Sequence, residues 1–272
     1  MGRMKRIAPI RSLSPIFLTV LVAIGCGSGK PQDAAATAQQ SGPAAPAQAA
    51  PAAAPSAAAH GSATIRGTIH LSGAAPVPEK IKMDADPVCQ QQHATPVVSE
   101  EVVAGAGGAL QNVFVYVKEG AKGPFAPPSS PVTLSQQGCW YQPHVFGIQT
   151  NQPLEIVNND ATLHNINAKP TANQPFNVAQ PVMGMKTTKK FAKPEVMVTF
   201  KCNVHPWMCA YAGVVSHPFF SVSGADGSFA ITGLPAGSYA IEAWQETYGA
   251  QSRTVSVADG ETKTADFTFQ GQ

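Results

Sequence analysis

The sequence has few charged side chains, few aromatic residues and no apolar run long enough to cross a membrane. Charged residues make up 12% and aromatic residues 7% of the 272 residues. The formal net charge is only +2, and much of it comes from basic residues near the N-terminus. No basic stripe is present elsewhere, which argues against nucleic acid as a partner. The apolar stretch at 15–24 is shorter than the roughly 20 residues that a membrane-spanning helix needs.

Helical periodicity is also lacking, and this absence favours an all-β fold. Glycine and proline number 24 each, and both residue types interrupt regular structure and mark turns. Between these turn signals lie short runs in which apolar and polar residues alternate, the pattern of a sheet with one buried face. The predicted strands are 63–71, 113–117, 145–148, 154–157, 196–200, 228–231, 239–244 and 262–269.

The N-terminus is a targeting segment. A basic head precedes the apolar stretch at 15–24, and Gly25 and Cys26 follow it. This arrangement resembles the lipobox of bacterial lipoproteins, which implies a signal peptide over 1–26 and a lipid attached to the sulfur of Cys26. The alternative is an ordinary cleaved signal peptide with a spectator cysteine. We therefore expect an exported protein, anchored by lipid in the cell envelope, at the outer membrane facing the periplasm or at the cell surface.

Residues 27–62 are dominated by alanine, proline, glutamine and serine. Such a composition buries too little apolar surface to offset the entropy of ordering, and proline interrupts any long alanine helix. We interpret this segment as a tether that separates the folded part from a membrane.

One heptapeptide carries the clearest chemistry: Cys202-Asn203-Val204-His205-Pro206-Trp207-Met208. It places a thiol, an imidazole and a thioether in the spacing C-x2-H-x2-M. Two histidines, one cysteine and a weak axial methionine form mononuclear blue-copper sites. His164, in an upstream polar loop, is the candidate for the missing histidine. We therefore assign His164, Cys202, His205 and Met208 as ligands.

The segment 130–217 resembles a cupredoxin of the plastocyanin/amicyanin type. In that family a strand that ends in asparagine leads to the first histidine, and the loop that holds the other ligands comes near the end. The resemblance implies a Greek-key β-sandwich that binds one type 1 copper ion. It also implies that Asn165 ties the ligand loops together and that Pro206 stiffens the second loop.

Other metal sites fit the pattern less well. Zinc prefers cysteine, histidine or carboxylate to methionine. A binuclear copper site would need a second cysteine where Asn203 and Val204 stand. The additional histidine-rich motifs of a copper oxidase are absent from the sequence.

The residues on either side of segment 130–217 show a second family resemblance. Residues 224–239 contain an Asp-Gly turn, a strand, a Leu-Pro-x-Gly turn and a tyrosine-containing strand, which resembles a carboxypeptidase-regulatory-like β-sandwich of transthyretin- or immunoglobulin-like type. The two strands that should precede these in such a module lie far upstream. The simplest topology makes one sandwich from 63–125 and 218–270, with the cupredoxin-like unit, 130–217, inserted. The alternatives are two sequential domains or one fused sandwich.

Three further cysteines need an interpretation. In an oxidising exported compartment a disulfide is the default for Cys89 and Cys139. The alternative is a second metal site, because His93 follows Cys89 and His144 follows Cys139. Cys209 directly follows the axial methionine and is interpreted as a free thiol, since neighbouring strand residues point to opposite faces.

These observations predict a protein that is not an enzyme and that carries single electrons between redox partners. The resemblance implies that His205 reaches the surface in an apolar patch with Pro206, Trp207, Met183 and Met185. The partner would be a redox protein such as a c-type cytochrome, an oxidase or a dehydrogenase. One alternative is storage, delivery or sensing of copper at the envelope, and another is a structural or adhesive module.

Overall fold

The computed structural model describes residues 61–271. The predicted signal peptide, Cys26 and the tether up to residue 60 lie outside the described residues. The described residues all belong to a single compact unit of the chain.

Short strands and two very short helical turns make up the described part of the chain. The α-helix α1 spans Pro87–Gln91, and a 3-10 helix spans Ala106–Gly108. No helix within 61–271 has the length and apolar character that a membrane span requires. The strands are β1 (Ala63–Ser72), β2 (Phe114–Glu119), β3 (Val132–Gln136), β4 (Tyr141–Gln142), β5 (Val145–Gln149), β6 (Leu154–Asn158), β7 (His164–Lys169), β8 (Phe176–Gln180), β9 (Lys186–Lys189), β10 (Glu195–Lys201), β11 (Cys209–Val215), β12 (Phe220–Val222), β13 (Ser228–Leu234), β14 (Gly237–Gln245), β15 (Gly249–Val257), β16 (Thr262–Thr264) and β17 (Phe267–Gln270).

The outer sandwich is built from the two ends of this region. One sheet has the order β13-β1-β16, with β17 also paired to β1, and the other has the order β12-β2-β14-β15. Strand β1 pairs antiparallel with β13 but parallel with β16 and β17. Apolar side chains from both sheets, among them Ile65, Val115, Ile241 and Phe267, form its buried core.

The inner sandwich is built from β3 to β11, which lie between β2 and β12 in the sequence. Its sheets have the orders β5-β11-β10-β7-β8 and β4-β3-β6-β9. Parallel pairing of β5 with β11 and of β3 with β6 links strands that are distant along the chain. Its core is separate from that of the outer sandwich and includes Tyr141, Ile156 and Phe200, together with Cys202 and Met208.

The all-β prediction is confirmed. The eight predicted strands correspond to β1, β2, β5, β6, β10, β13, β14 and the pair β16–β17. The sequence had suggested this pair as a single strand, 262–269. The strands that were not predicted are β3, β4, β7, β8, β9, β11, β12 and β15. Strand β15 is one example, and its residues are mostly exposed. An edge strand that alternates little between apolar and polar residues gives no periodic signal.

A small apolar cluster joins the two sandwiches. Phe114 and Phe220 of the outer sandwich pack with Val145 and Val215 of the inner one. Gly213 permits this close approach, because a Cβ atom there would lie 2.2 Å from the Phe114 ring. The apolar side chains of the two sandwiches therefore pack closely against each other at this contact.

A buried carboxylate stabilises the outer sheet that faces this cluster. Glu242 accepts hydrogen bonds from Tyr116 Oη at 2.6 Å, from Lys118 Nζ at 2.6 Å and from Ser252 Oγ at 2.8 Å. Burial alone would raise the pKa of Glu242, but these donors outweigh it and the pKa is lowered. The donors lie on the neighbouring strands β2 and β15, so the carboxylate links three strands.

The connection between β1 and β2 extends over the inner sandwich. We call residues 79–100 the cap. Its ends are held together by Ile81 N, which donates to Val97 O at 2.9 Å, and by Ser99 N, which donates to Glu79 O at 2.8 Å. Ile81 and Val97 also pack against the inner core. The cap carries α1 to the site described next.

Candidate metal centre

The heptapeptide 202–208 forms a closed loop between β10 and β11. Cys202 N donates to Met208 O at 3.2 Å, and Met208 N donates to His205 O at 2.9 Å. His205 N donates to Cys202 Sγ at 3.4 Å. The side chains of all three residues are buried. The C-x2-H-x2-M spacing therefore brings the three side chains into one loop that closes on itself.

His164, at the start of β7, meets this loop. His164 Nδ1 lies 3.0 Å from His205 Nδ1, and Cys202 Sγ lies 3.8 Å from the same His205 atom. The three donor atoms of His164, Cys202 and His205 all lie within 4.8 Å of one another. Met208 is fully buried in the same core as Cys202. The structure thus brings His164, Cys202 and His205 together, and Met208 lies at the end of the same loop in the same buried core.

Two carboxylates orient the two imidazole rings. Asp160 Oδ2 lies 2.8 Å from His164 Nε2, and Asp86 Oδ2 lies 3.0 Å from His205 Nε2. An ionised carboxylate only accepts hydrogen bonds, so each Nε2 carries the hydrogen and donates it. Each Nδ1 is then left with a lone pair directed toward the other. Two facing lone pairs 3.0 Å apart favour a cation between them.

Asp160 is held by the backbone of the turn before β4. Gly138 N and Cys139 N donate to its two carboxylate oxygens, each at 2.8 Å. Both residues have positive φ, 66° and 55°, a conformation that turns successive amide groups toward one anion. Burial would raise the pKa of Asp160, but the hydrogen bonds from His164 and from these amides lower it. Asp160 therefore stays ionised although it is buried.

The thiol of Cys202 lies in surroundings that favour the thiolate. Burial would raise its pKa, but the contacts with His164 and His205 and the hydrogen bonds from the amides of the loop lower it to about 6. A thiolate is the form of cysteine that binds metals. The same contacts with Cys202, together with the carboxylates, raise the pKa of both histidines against the effect of burial.

Asparagine side chains connect the two ligand segments. Asn165 Oδ1 accepts from Asn203 N at 2.8 Å, which links the residue after His164 to the residue after Cys202. The neighbouring Asn167 makes a second bond, from its Nδ2 to Asn203 Oδ1 at 2.9 Å, but on the exposed surface. Asn165 therefore lies where a residue that ties the ligand loops is expected. Pro206 lies exposed on the loop between two buried ligands.

The cap changes the expected accessibility of His205. The sequence indicated that His205 would reach the surface, but only 2% of its surface is exposed. Asp86, at the N-terminus of α1, bonds its Nε2, and Cys89 Sγ lies 3.5 Å from the same nitrogen. Met183 and Met185, expected in the patch around it, are exposed in the turn between β8 and β9. The sequence did not indicate that His205 is covered, because the cap that covers it comes from a distant part of the chain.

A disulfide fastens the cap to the inner sandwich. Cys89 and Cys139 are joined by a bond of 1.99 Å, with their Cα atoms 5.4 Å apart. Their sulfurs are therefore not thiolate ligands, and the alternative of a metal site with His93 and His144 is not supported by the geometry. His93 Nε2 instead contacts Gly138 O at 2.7 Å.

Cys209 lies beside His144 and Glu246, whereas Met208 is buried in the core of the inner sandwich. It is a free thiol within the described residues, half-buried at the start of β11. Burial raises its pKa to about 12, and the negative charge of Glu246 adds to this. The thiol therefore differs from Cys202, whose surroundings favour ionisation.

The separations between the donor atoms agree with the geometry that one metal ion requires. Bonds to a first-row divalent ion such as zinc are about 2.0 Å for nitrogen and 2.3 Å for sulfur. Two ligand atoms on one ion are then at most about 4 Å apart for two nitrogens and about 4.3 Å for nitrogen and sulfur. The observed separations, 3.0 Å and 3.8 Å, satisfy these limits. Thiolate, two imidazoles and a thioether are the donors of a copper site, so the residues fit copper.

Comparison with known families matches one part of the outer sandwich. The profile of the carboxypeptidase regulatory-like domain matches residues 215–270. These residues contain β12 to β17, while β1 and β2 of the same sandwich lie about 100 residues or more upstream. No curated protein is significantly similar to the chain in sequence.

Several solved structures resemble a part of the chain. A Cu-containing nitrite reductase from Thermus scotoductus SA-01 is 26% identical over 36% of this chain and 25% of its own, with a TM-score of 0.30. A purple cupredoxin from Nitrosopumilus maritimus is 18% identical over 31% of this chain and 98% of its own, with a TM-score of 0.27. A mutant of amicyanin with Cu(I) is 14% identical over 31% of this chain and 81% of its own, also with a TM-score of 0.27. The similarity thus spans only a quarter of the nitrite reductase.

Sequence reasoning missed the two carboxylates. Asp160 stands four residues before His164 in a polar loop, a spacing that gave a weak signal. Asp86 stands 119 residues from His205, and nothing in the sequence relates the two. The start of α1 could have been predicted from the sequence, because Asp86 followed by Pro87 is a typical start of a helix. Its side chain accepts from Val88 N at 2.8 Å.

Proposed function

We propose that this protein binds one copper ion through His164, Cys202, His205 and Met208 and carries single electrons between redox partners. The supporting observation is the convergence of two Nδ1 atoms and one thiol, with both Nε2 atoms engaged by carboxylates. Copper bound by such donors is stable as Cu(I) and as Cu(II) and so supplies one-electron chemistry.

The chain's own residues keep the ligand geometry fixed. Asp160 and Asp86 hold the imidazole rings so that Nδ1 faces inward. Asn165 ties the two ligand segments together. Because these positions are set by buried contacts, little rearrangement would accompany a change of charge at the site. This is the property that an electron carrier needs.

The cap favours electron transfer over copper delivery. An ion leaving the site past His205 would have to displace a cap that a disulfide holds in place, whereas an electron needs no such opening. Trp207 offers a route, because its ring lies 5.1 Å from the ring of His205 and the side chain is partly exposed. Trp207 Nε1 also donates to Cys139 O at 3.0 Å, which fixes the ring against the cap's disulfide.

The setting of this function is part of the proposal. A lipid on Cys26 and the tether would keep the protein at the cell envelope, where a c-type cytochrome, an oxidase or a dehydrogenase would serve as redox partner. Storage or sensing of copper is the second candidate, favoured by the burial of all four ligands.

Copper loading of the purified protein tests the proposal. Wild type should show an intense visible thiolate-to-Cu(II) absorption and the matching EPR spectrum. Cys202→Ser should lose both, while Cys209→Ser serves as the matched control and should keep them. Colourless copper-loaded wild type would refute the site, and colour that depends on Cys209 would move it. Slow electron exchange with a cytochrome, combined with rapid copper release to a chelator, would favour copper handling instead.

A further inference from the structure

A second cluster of metal-binding side chains lies on the other side of β11 from the candidate copper site. The donor atoms of His144, Cys209 and Glu246 all lie within 4.8 Å of one another. His144 precedes β5, Cys209 begins β11, and β5 and β11 are paired in parallel from Tyr211 and Val145 onward. The side chain of His144 is 3% exposed and that of Glu246 is 8% exposed.

The contacts within the cluster leave one buried nitrogen without a partner. His144 Nε2 is hydrogen-bonded to Glu246 Oε1, but His144 Nδ1 is buried and has no hydrogen-bond partner. A buried polar atom without a partner is destabilising, because no hydrogen bond offsets the loss of its contacts with water. Oε2 of Glu100 lies 4.0 Å from Nδ1, too far for a hydrogen bond. If a metal ion replaced the hydrogen on Nε2, Nδ1 would carry the hydrogen and direct it toward Glu100, as metal-bound histidines commonly do with a carboxylate.

The structure assigns a second metal site here, and we propose that His144 Nε2, Cys209 Sγ and a carboxylate oxygen of Glu246 bind a divalent ion of the zinc type, while Nδ1 of His144 faces Glu100. Cysteine, histidine and carboxylate are the usual ligands of zinc. This cluster has a ligating carboxylate and no thioether, whereas the first site has a thioether and no ligating carboxylate. The donor sets therefore differ in the metal that they prefer. On binding, the Cys209 thiol loses its proton to solvent.

Such an ion would link the two sandwiches. His144 and Cys209 belong to the inner sandwich, while Glu246 lies in the turn between β14 and β15 of the outer one. That turn is itself held firmly, because Gln245 Oε1 accepts from the two amides that follow Glu246, at 2.7 Å and 2.9 Å. A bound ion would then add a connection beside the apolar cluster that already joins the units.

The test uses the full chain with Cys202→Ser, which removes the thiolate of the first site. Co2+ is the probe, because a cobalt–thiolate bond gives a near-ultraviolet charge-transfer band. We expect this band with Cys202→Ser, its displacement by Zn2+, and its loss when Cys209→Ser is added. Glu246→Gln in the same background should weaken binding by at least about 10–100-fold, the usual loss when metal-site partners are removed. The matched control is Glu101→Gln, which removes an exposed charge nearby and should change affinity little.

A band of equal strength with and without Cys209, or no band at all, would overturn the proposal. Equal losses from Glu246→Gln and Glu101→Gln would also overturn it. If the added substitutions impair folding, alkylation gives an independent result in the Cys202→Ser chain. Zn2+ should slow the reaction of iodoacetamide with Cys209, located by mass spectrometry. An unchanged rate at saturating Zn2+ would show that the thiol is not a ligand.

Discussion

Removal of the Cys89–Cys139 disulfide gives the sharpest test of the cap's role. The two cysteines are 50 residues apart in sequence. For a loop of this size, the loss of the cross-link restores unfolded-state entropy equivalent to about 4 kcal/mol at 25 °C. We therefore expect the copper-free variant Cys89→Ala/Cys139→Ala to unfold at a lower urea concentration, with a free energy of unfolding lower by about that amount.

The cavity left by two sulfur atoms would add to this loss, and a second measurement separates the two effects. Wild type reduced with a phosphine keeps both sulfurs and should lose nearly the same stability. Copper extraction by a chelator should also become faster in the double variant, because the cap over His205 is no longer fastened. If reduced wild type is as stable as the oxidised protein and extraction is unchanged, the disulfide neither stabilises the fold nor closes the site.

Three further predictions concern the surroundings of the site and the two sandwiches. Asn165→Ala should weaken copper binding by about 10–100-fold, because it removes the buried link between the ligand segments. Asn167→Ala, which removes an exposed side chain, should have little effect. A copper-competition assay compares the two variants, and equal losses of affinity would contradict the assignment. Gly213→Ala should destabilise the protein by about 1–3 kcal/mol because its methyl group overlaps the Phe114 ring, and urea unfolding with no change would contradict the packing. The pKa of Glu242 is lowered from its ordinary value of 4.5. Its ionised carboxylate therefore stabilises the fold at pH values above 4.5, and this stabilisation is lost as the pH falls through the lowered pKa. The difference in unfolding free energy between wild type and Glu242→Gln should therefore be largest near pH 7 and shrink in acid, and a difference independent of pH would refute this.

Local patterns made much of the fold predictable. The alternation of apolar and polar residues located the cores of eight strand regions because a strand with one buried face repeats every two residues. The ligand loop was visible because three of its donors lie within seven residues and need little tertiary information. Strand β15, several edge strands, the interior strands β3, β7 and β11, and the cap were not located from the sequence. Their positions depend on pairing and packing with distant segments.

The same division applies to the candidate site and to Cys209. His164 was inferred from the chemistry that the loop lacked, and the structure brings it to the loop. Burial of His205 could not be inferred, because the carboxylate that covers it stands 119 residues away in the sequence. Cys209 could be assigned to the opposite face of the strand from Met208, but Glu246, which it meets there, lies on the outer sandwich.

The sequence by itself determined the donor chemistry, the all-β class and the spacing that closes the ligand loop, because these depend on residue type and short-range geometry. Only the tertiary structure decided that Asp86 and Asp160 orient the two imidazoles, that a disulfide-fastened cap closes over His205, and that His144, Cys209 and Glu246 share one place. These arrangements join residues far apart in the chain, and packing rather than sequence proximity brings them together.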